Sequence, residues 1–167
     1  MAVTETAMSL ALNAPVMVQN CPAPIPSGGV TQFREYKFLY SDFTDGGGAA
    51  ATLTLPMKLP AGTILRGMAG FVITGFTADT TAVLIVGDGT GNGDTFCDDA
   101  GAVSVYTTGT YVAFDPARNA VNHADYVSAL TAATSVVLTI TGTADWGNVV
   151  AGEMIFRVMY DYVPFLA

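Results

Sequence analysis

The sequence predicts an all-β protein, an antiparallel two-sheet sandwich of the jelly-roll type with about eight strands. Three observations lead to this fold class. Most apolar segments after residue 33 alternate with polar residues at a period of two, as half-buried strands do. Turn-rich stretches of Gly, Pro, Asp and Thr separate these segments. No segment has the spacing of an amphipathic helix, and eight strands favour a jelly roll over an immunoglobulin-type sandwich.

The chain has the size of one domain, with 167 residues of which 51% are hydrophobic. We expect residues 1–32 to form an extended N-terminal arm and residues 33–167 to form the β-sandwich. Proline fixes φ and removes a backbone donor, so the proline-rich part of the arm should be extended. Such an arm is either disordered or laid across a neighbouring subunit. Its prolines are Pro15, Pro22, Pro24 and Pro26.

The first predicted strand lies within residues 34–43, where aromatic and polar residues alternate. Tyr36, Phe38 and Tyr40 share one face of this strand and are predicted to be core residues. The Asp-Gly-Gly-Gly stretch at 45–48 then turns the chain.

A second alternating strand is predicted at 50–55, followed by a loop at 56–62 because PMKLPAG contains two prolines and a glycine. The next strand, 64–76, is long and rich in β-branched residues. Glycines within a strand pattern predict bulges or close packing against another backbone. Those in this strand are Gly67, Gly70 and Gly75.

The apolar run AVLIVG at 82–87 predicts a short strand covered on both faces. Segments 103–108 and 110–114 form either a hairpin around Gly109 or two separate edge segments. Residues 115–134 mix turn residues with helix formers, so a loop with a helical turn near 124–132 is expected.

Two strong strands are predicted at 135–142 and 153–163. In the second, alternation places five residues on one face, opposed by Arg157 and Asp161. The residues that share this face are Met154, Phe156, Val158, Tyr160 and Tyr162.

The chain carries few charges. Only 12% of its residues are charged, and 6 Lys and Arg stand against 14 Asp and Glu, for a formal charge of −8. A soluble domain usually has about 25% charged residues, so apolar surface is expected to be covered in an assembly. No Lys or Arg lies between Arg66 and Arg118, and this acidic half should repel nucleic acid. The N-terminus is a poor signal peptide, and no segment is long enough to span a membrane.

The stretch LIVGDGTGNGDTFCDD at 84–99 looks most like a ligand-binding loop. Its glycines miss the dinucleotide-binding spacing, no helix pattern follows, and no Gly-Lys-Ser/Thr occurs. It approximates a calcium loop, since Asp88, Thr90, Asn92, Asp94 and Asp99 fall near the required positions. Thr90 replaces a carboxylate or amide, Asp99 is shorter than the usual bidentate Glu, and strands flank the segment. A polar loop that connects two strands is therefore the preferred interpretation.

Candidates for catalysis are few. His123 is the only histidine, and Cys21 and Cys97 match no zinc or redox spacing. A lone histidine in a loop usually forms local hydrogen bonds, and most acidic residues lie in turns where Asp is expected. We therefore predict no catalytic site, no cofactor and no metal centre. Trp146, the only tryptophan, either plugs one end of the sandwich, anchors an interface or stacks on a sugar ring.

Three stretches, LPAGTIL at 59–65, VGDGTGNGDTF at 86–96 and AGEMIFRVMYDYV at 151–163, follow one another in a familiar order. In this order the chain resembles small jelly-roll virion proteins of tailed bacteriophages, namely capsid decoration, cement or head-fibre-base proteins. The resemblance covers about two thirds of the chain. It implies a sandwich that associates as a trimer, or less often a dimer, on the capsid lattice, without catalytic residues.

We therefore expect a non-enzymatic phage virion protein that decorates or cements the capsid exterior and is made in the bacterial cytoplasm. Its expected partners are the major capsid protein and further copies of itself in a homotrimer, with no nucleic acid, membrane or small-molecule substrate. A coat protein of a small RNA virus usually has a basic arm, whereas residues 1–33 contain Glu5 and no Lys or Arg. The alternatives are a carbohydrate-binding module that uses Trp146 and calcium, and a tail or fibre-base component of the same fold.

Overall fold

Two five-stranded antiparallel sheets enclose the hydrophobic core between them. The computed structural model describes residues 16–18, 31–77, 81–90, 96, 103–114 and 129–162. The strands within these residues are β1 (Val16–Val18), β2 (Thr31–Leu39), β3 (Thr44–Asp45), β4 (Ala50–Leu59), β5 (Thr63–Thr77), β6 (Ala82–Gly87), β7 (Val103–Ser104), β8 (Tyr111–Phe114), β9 (Thr134–Gly142) and β10 (Ala151–Tyr162).

The strand order is that of a jelly roll. The first sheet runs β1-β2-β10-β5-β8 and the second runs β3-β4-β9-β6-β7. Leaving aside the short edge strands β1 and β3, the remaining eight form four nested pairs, β2 with β10, β4 with β9, β5 with β8 and β6 with β7. Nested pairing of this kind, divided between two packed sheets, is the topology of a jelly roll, and it confirms the predicted fold class.

The core consists of the inward-facing residues of both sheets, which alternate with outward-facing residues along each strand. On β9, for example, Val136, Leu138 and Ile140 are fully buried. Tyr36 and Phe38 are core residues as predicted, whereas Tyr40 begins a short 3-10 turn and is partly buried against the core. Other buried core residues are Leu55, Leu59, Leu65, Met68, Val72, Phe76, Leu84, Val86, Val112, Met154, Phe156 and Val158.

The predicted loop at 56–62 is wrong for its first half, because β4 continues to Leu59. Proline cannot donate to a strand ladder and is tolerated in strands at bulges or edges. Pro56 lies within such an irregularity, since the pairing of β4 with β9 shifts register between Thr54 and Lys58. The turn itself is confined to Ala61 and Gly62, where Gly62 has φ +86°.

β10 keeps its period of two, because its pairing with β2 is regular from Glu153 to Asp161. Pairing with β5 shifts between Met159 and Tyr160. Tyr160 remains buried, but Tyr162 is 41% exposed, and the outward-facing Asp161 is buried. Tyr162 lines the same cavity between the sheets as Tyr36 and Tyr160, and Asp161 bonds to Arg66 on the opposite face, so both lie on the faces that the alternation predicts.

Segments 103–108 and 110–114 do not form a hairpin with each other. They contain β7, which pairs with β6, and β8, which pairs with β5 in the opposite sheet. The predicted alternative of two edge segments is confirmed. β6 has the predicted bounds, although Val83 and Ile85 are only partly buried on its outer face. Residues 129–133 are irregular, and the rest of the predicted helical turn lies outside the described residues.

Two glycines of β5, Gly70 and Gly75, allow neighbouring segments to pack closely against its backbone, as predicted. A Cβ on Gly70 would lie 2.6 Å from the Met154 Cε and 2.9 Å from the Ile155 carbonyl oxygen. A Cβ on Gly75 would overlap the carbonyl oxygen of Tyr106. Both positions therefore have no room for a side chain.

The predicted arm contributes one described segment to the fold. Val16–Val18 pair antiparallel with β2, with Val16 opposite Lys37 and Val18 opposite Glu35. β2 itself begins at Thr31. The backbone of residues 16–18 thus extends the first sheet beyond β2.

Candidate functional site

The loop after β6 begins with a local turn. The backbone N–H and the hydroxyl of Thr90 both donate to Oδ1 of Asp88, at 2.8 Å and 2.7 Å. Further along, Phe96 is buried, and its N–H donates to the Val86 carbonyl oxygen at 3.0 Å. Asp side chains commonly form such turns without any metal, and one oxygen of Asp88 is engaged in this way.

Most of the other predicted site residues lie outside the described residues. In the part of the chain that the structure describes, no three His, Cys, Asp or Glu residues cluster as metal ligands would. The calcium hypothesis therefore rests on sequence alone at three of its five positions. The residues outside the described ranges are Asn92, Asp94, Asp99, His123, Cys21 and Cys97.

Trp146 plugs one end of the sandwich. It is 6% exposed, and its ring centroid lies 5.5 Å from that of Phe43 and 6.5 Å from that of Phe76. The backbone N–H of Trp146 donates to the Gly48 carbonyl oxygen at 2.7 Å, and Asp145 caps the 3-10 turn that carries Trp146. Because neighbouring rings cover it, Trp146 has no open face for a sugar. The hypothesis of sugar stacking by this residue is wrong, and the predicted role as a plug is confirmed.

The outer face of the first sheet carries an exposed apolar group that sequence reasoning did not identify as a site. We call it the outer-face patch and define it by Ala69, Phe71, Tyr111 and Ile155. These residues line a shallow depression of about 330 Å³. Tyr111, on the edge strand β8, is 81% exposed, and its ring centroid lies 4.8 Å from that of Phe71. Register brings the patch together, since Phe71 pairs with both Tyr111 and Ile155.

Cross-strand ion pairs border the outer-face patch. The Arg157 guanidinium lies 2.5 Å from the Glu35 carboxylate and 4.8 Å from the centroid of the Phe33 ring. Lys37 pairs with Glu153 at 2.5 Å. These side chains are partly exposed, so each pair contributes little to stability. An apolar centre with a charged border is the arrangement typical of protein–protein contact surfaces.

A third ion pair is more buried. Nε of Arg66 donates to Oδ2 of Asp161 at 2.7 Å, and the Asp161 side chain is only 8% exposed. Burial acts to raise the pKa of Asp161, but hydrogen bonds from Thr31 and Arg66 and the charge of Arg66 outweigh it and lower this pKa. The pair ties β10 to β5 and stabilises the ionised carboxylate.

The described residues that line the patch suit contact with another protein. Apart from Glu35 and Arg157, which pair with each other, they are apolar or aromatic. The sequence indicates the outer-face patch only weakly. Alternation places Phe71 and Ile155 on the outer faces of their strands, but it does not show that the two residues are neighbours. Across the described residues, no helix has the length and apolar character needed to cross a membrane.

Comparison with known proteins identifies the fold. No protein family model and no characterised protein matches the sequence. Among solved structures, a chain of the cyanophage Pam1 capsid asymmetric unit is similar, with a TM-score of 0.53 and 16% sequence identity. The similarity covers 95% of this chain and 100% of that chain. At this identity the likeness shows a shared fold.

Proposed function

We propose that this chain is a non-enzymatic structural protein of a phage virion that decorates or cements the capsid. The observation that carries this proposal is the jelly roll shared over 95% of the chain with a whole chain of a cyanophage capsid asymmetric unit. A fold does not by itself fix a function, so the proposal also draws on the sequence and on the character of the surface. The resemblance of the sequence to phage decoration and cement proteins supports the same role.

The surface supports a role that works through protein contacts. The outer-face patch is apolar and partly exposed, with Tyr111 as its most exposed residue, on a chain with a formal charge of −8 and few charged residues. Aromatic residues such as Tyr111 are enriched at the centres of protein interfaces. In this proposal, the patch contacts the major capsid protein on the capsid exterior, the chain assembles as a homotrimer, and residues 1–15 of the arm reach a neighbouring subunit.

The test measures attachment to capsids of the encoding phage that have been assembled without this protein. We expect the wild-type protein to co-sediment with these capsids and Tyr111→Lys to bind at least about tenfold more weakly, because a charge would be buried at a hot spot. Ser104→Lys is the matched control, since it adds the same charge to β7, an edge strand of the second sheet. Binding of Tyr111→Lys at wild-type strength would contradict the assignment of the patch.

Two further measurements complete the test. Sedimentation equilibrium of the free protein should give a mass of three 17.3-kDa chains, and a monomer would contradict the homotrimer. A form without residues 1–15, which keeps β1, should fold but attach more weakly if the arm reaches a neighbour. If wild-type protein does not attach to the capsids at all, the decoration role fails, and attachment to tails would favour a tail component of the same fold.

A further inference from the structure

A second cavity, of about 410 Å³, opens between the two sheets at the end where β2 begins. Its walls come from the inner faces of β2 and β10 in the first sheet and from the irregular end of β4 in the second. Cavities of this size suit small molecules or single side chains. The polar residues that line it are Gln32, Arg34, Tyr36, Lys58, Tyr160 and Tyr162.

The charged residues among the described lining of this pocket are basic, whereas the whole protein is acidic. Arg34 and Lys58 both line it, and no acidic residue is among its described lining residues. Lys37, Arg66 and Arg157 each pair with a carboxylate elsewhere on the molecule. Lys58 has no such partner among the described residues. On a chain with a formal charge of −8, a pocket lined by cations is a local exception.

A buried hydroxyl adds a second and independent observation. Tyr36 is 1% exposed, and its hydroxyl has no hydrogen-bond partner among the described residues. Buried polar groups are nearly always paired, so an unpaired one at a pocket points to a ligand or bound water. Burial raises the pKa of Tyr36 to about 12, although the charge of Arg34 acts to lower it, so the hydroxyl keeps its proton at neutral pH.

These groups match one kind of ligand. The guanidinium of Arg34 and the ammonium of Lys58 are hydrogen-bond donors without acceptor capacity, and the protonated Tyr36 hydroxyl donates as well. Tyr160 and Tyr162 offer ring surface to an apolar body. We propose that this pocket binds an organic carboxylate, with the carboxylate held by Lys58, Arg34 and the Tyr36 hydroxyl and the body packed against the tyrosine rings.

The test uses the full-length protein and two probes of nearly equal shape. Benzoate carries the carboxylate, and benzamide replaces it with a neutral amide. We expect ligand-observed NMR titration to show binding of benzoate and binding of benzamide that is weaker by about tenfold or more, as loss of a charged hydrogen-bond partner predicts. Equal binding of the two probes, or no binding of benzoate, would overturn the proposal.

Two variants and one control locate the site. Lys58→Gln should weaken benzoate binding by about tenfold, whereas Lys37→Gln, which removes the same charge from the outer face of β2, should leave it within about twofold. Tyr36→Phe should weaken binding without lowering the melting temperature, because the Tyr36 hydroxyl has no hydrogen-bond partner among the described residues. If Tyr36→Phe does not fold, benzoate binding by Lys58→Gln tests the site, because Lys58 is exposed and its replacement should not disturb folding. Unchanged binding by Lys58→Gln, or an equal loss with Lys37→Gln, would refute the site.

The source of the carboxylate is separated by a second set of probes. Glucuronate represents a sugar acid, and acetyl-Phe-Glu-amide represents an acidic side chain of a partner protein, with glucose and acetyl-Phe-Gln-amide as neutral controls. Tighter binding of glucuronate assigns the pocket to sugar acids, and tighter binding of the dipeptide assigns it to a protein partner. Failure of both acids to bind better than their neutral controls would contradict recognition of a carboxylate.

Discussion

Replacement of Trp146 by Ala tests whether this residue holds the end of the sandwich together. The side chain is 6% exposed and packs on Phe43 and Phe76 at centroid distances of 5.5 Å and 6.5 Å. A buried aromatic removes about 200 Å² from water. At about 25 cal/mol per Å² this is worth about 5 kcal/mol, and measured truncations of buried Phe or Trp cost about 3–5 kcal/mol. We therefore expect Trp146→Ala to lower the free energy of unfolding by about 4 kcal/mol.

Urea unfolding followed by far-UV circular dichroism measures this change without relying on the tryptophan that is removed. The melting temperature should fall by roughly 10 °C, since about 1 kcal/mol corresponds to roughly 2–4 °C in a protein of this size. Val150→Ala is the control, because Val150 lies nearby but is 73% exposed and should change stability by less than about 0.5 kcal/mol. A loss below about 1 kcal/mol in Trp146→Ala would refute the role as a plug.

Two other predictions concern the first sheet. Asp161→Asn should lower the free energy of unfolding at pH 7 by about 1–3 kcal/mol. Because the folded-state pKa of Asp161 is lowered, its contribution is present above the unfolded pKa of about 3.9 and is lost as pH falls through the folded value. Urea titrations at pH 7 and pH 2.5 should therefore show a smaller difference at pH 2.5, and a constant difference would contradict the ion-pair explanation. Gly75→Ala should lower the free energy of unfolding by at least about 2 kcal/mol, since a Cβ there overlaps the Tyr106 backbone. Gly48→Ala is the control and should be tolerated, because a Cβ there meets nothing within 4 Å. Equal melting temperatures of the two variants would contradict this account of the packing at Gly75.

Local patterns predicted the strands well wherever pairing was regular. The run at 82–87 gave β6 with its observed bounds, and the segments at 135–142 and 153–163 gave most of β9 and β10. In these strands the hydrophobic period, the β-branched content and the turn residues at each end agree.

The error in the predicted loop at 56–62 arose where a register shift overrides the local sequence pattern. Pro56 normally argues against a strand, yet an irregularity in the pairing with β9 accommodates it. Such shifts depend on the partner strand, so no window of a single strand reveals them.

The candidate surfaces were harder to predict than the fold because they join distant segments. Phe71 and Tyr111 become neighbours only through the pairing of β5 with β8. In the same way, Lys58 reaches the pocket of Tyr36 because the two sheets meet at that end. Alternation correctly placed Tyr36 inside the sandwich, but it could not show that the hydroxyl would lack a partner.

The nested hairpin pairing has a consequence for how the chain folds. Phe38 on β2 lies opposite Met154 on β10, so β2 can complete its native pairing only after β10 has been synthesised. Folds dominated by such distant pairings have high contact order and fold slowly, in milliseconds to seconds. During that interval the unpaired strands are exposed to aggregation. The rate of refolding after dilution from urea should therefore limit the supply of assembly-competent protein.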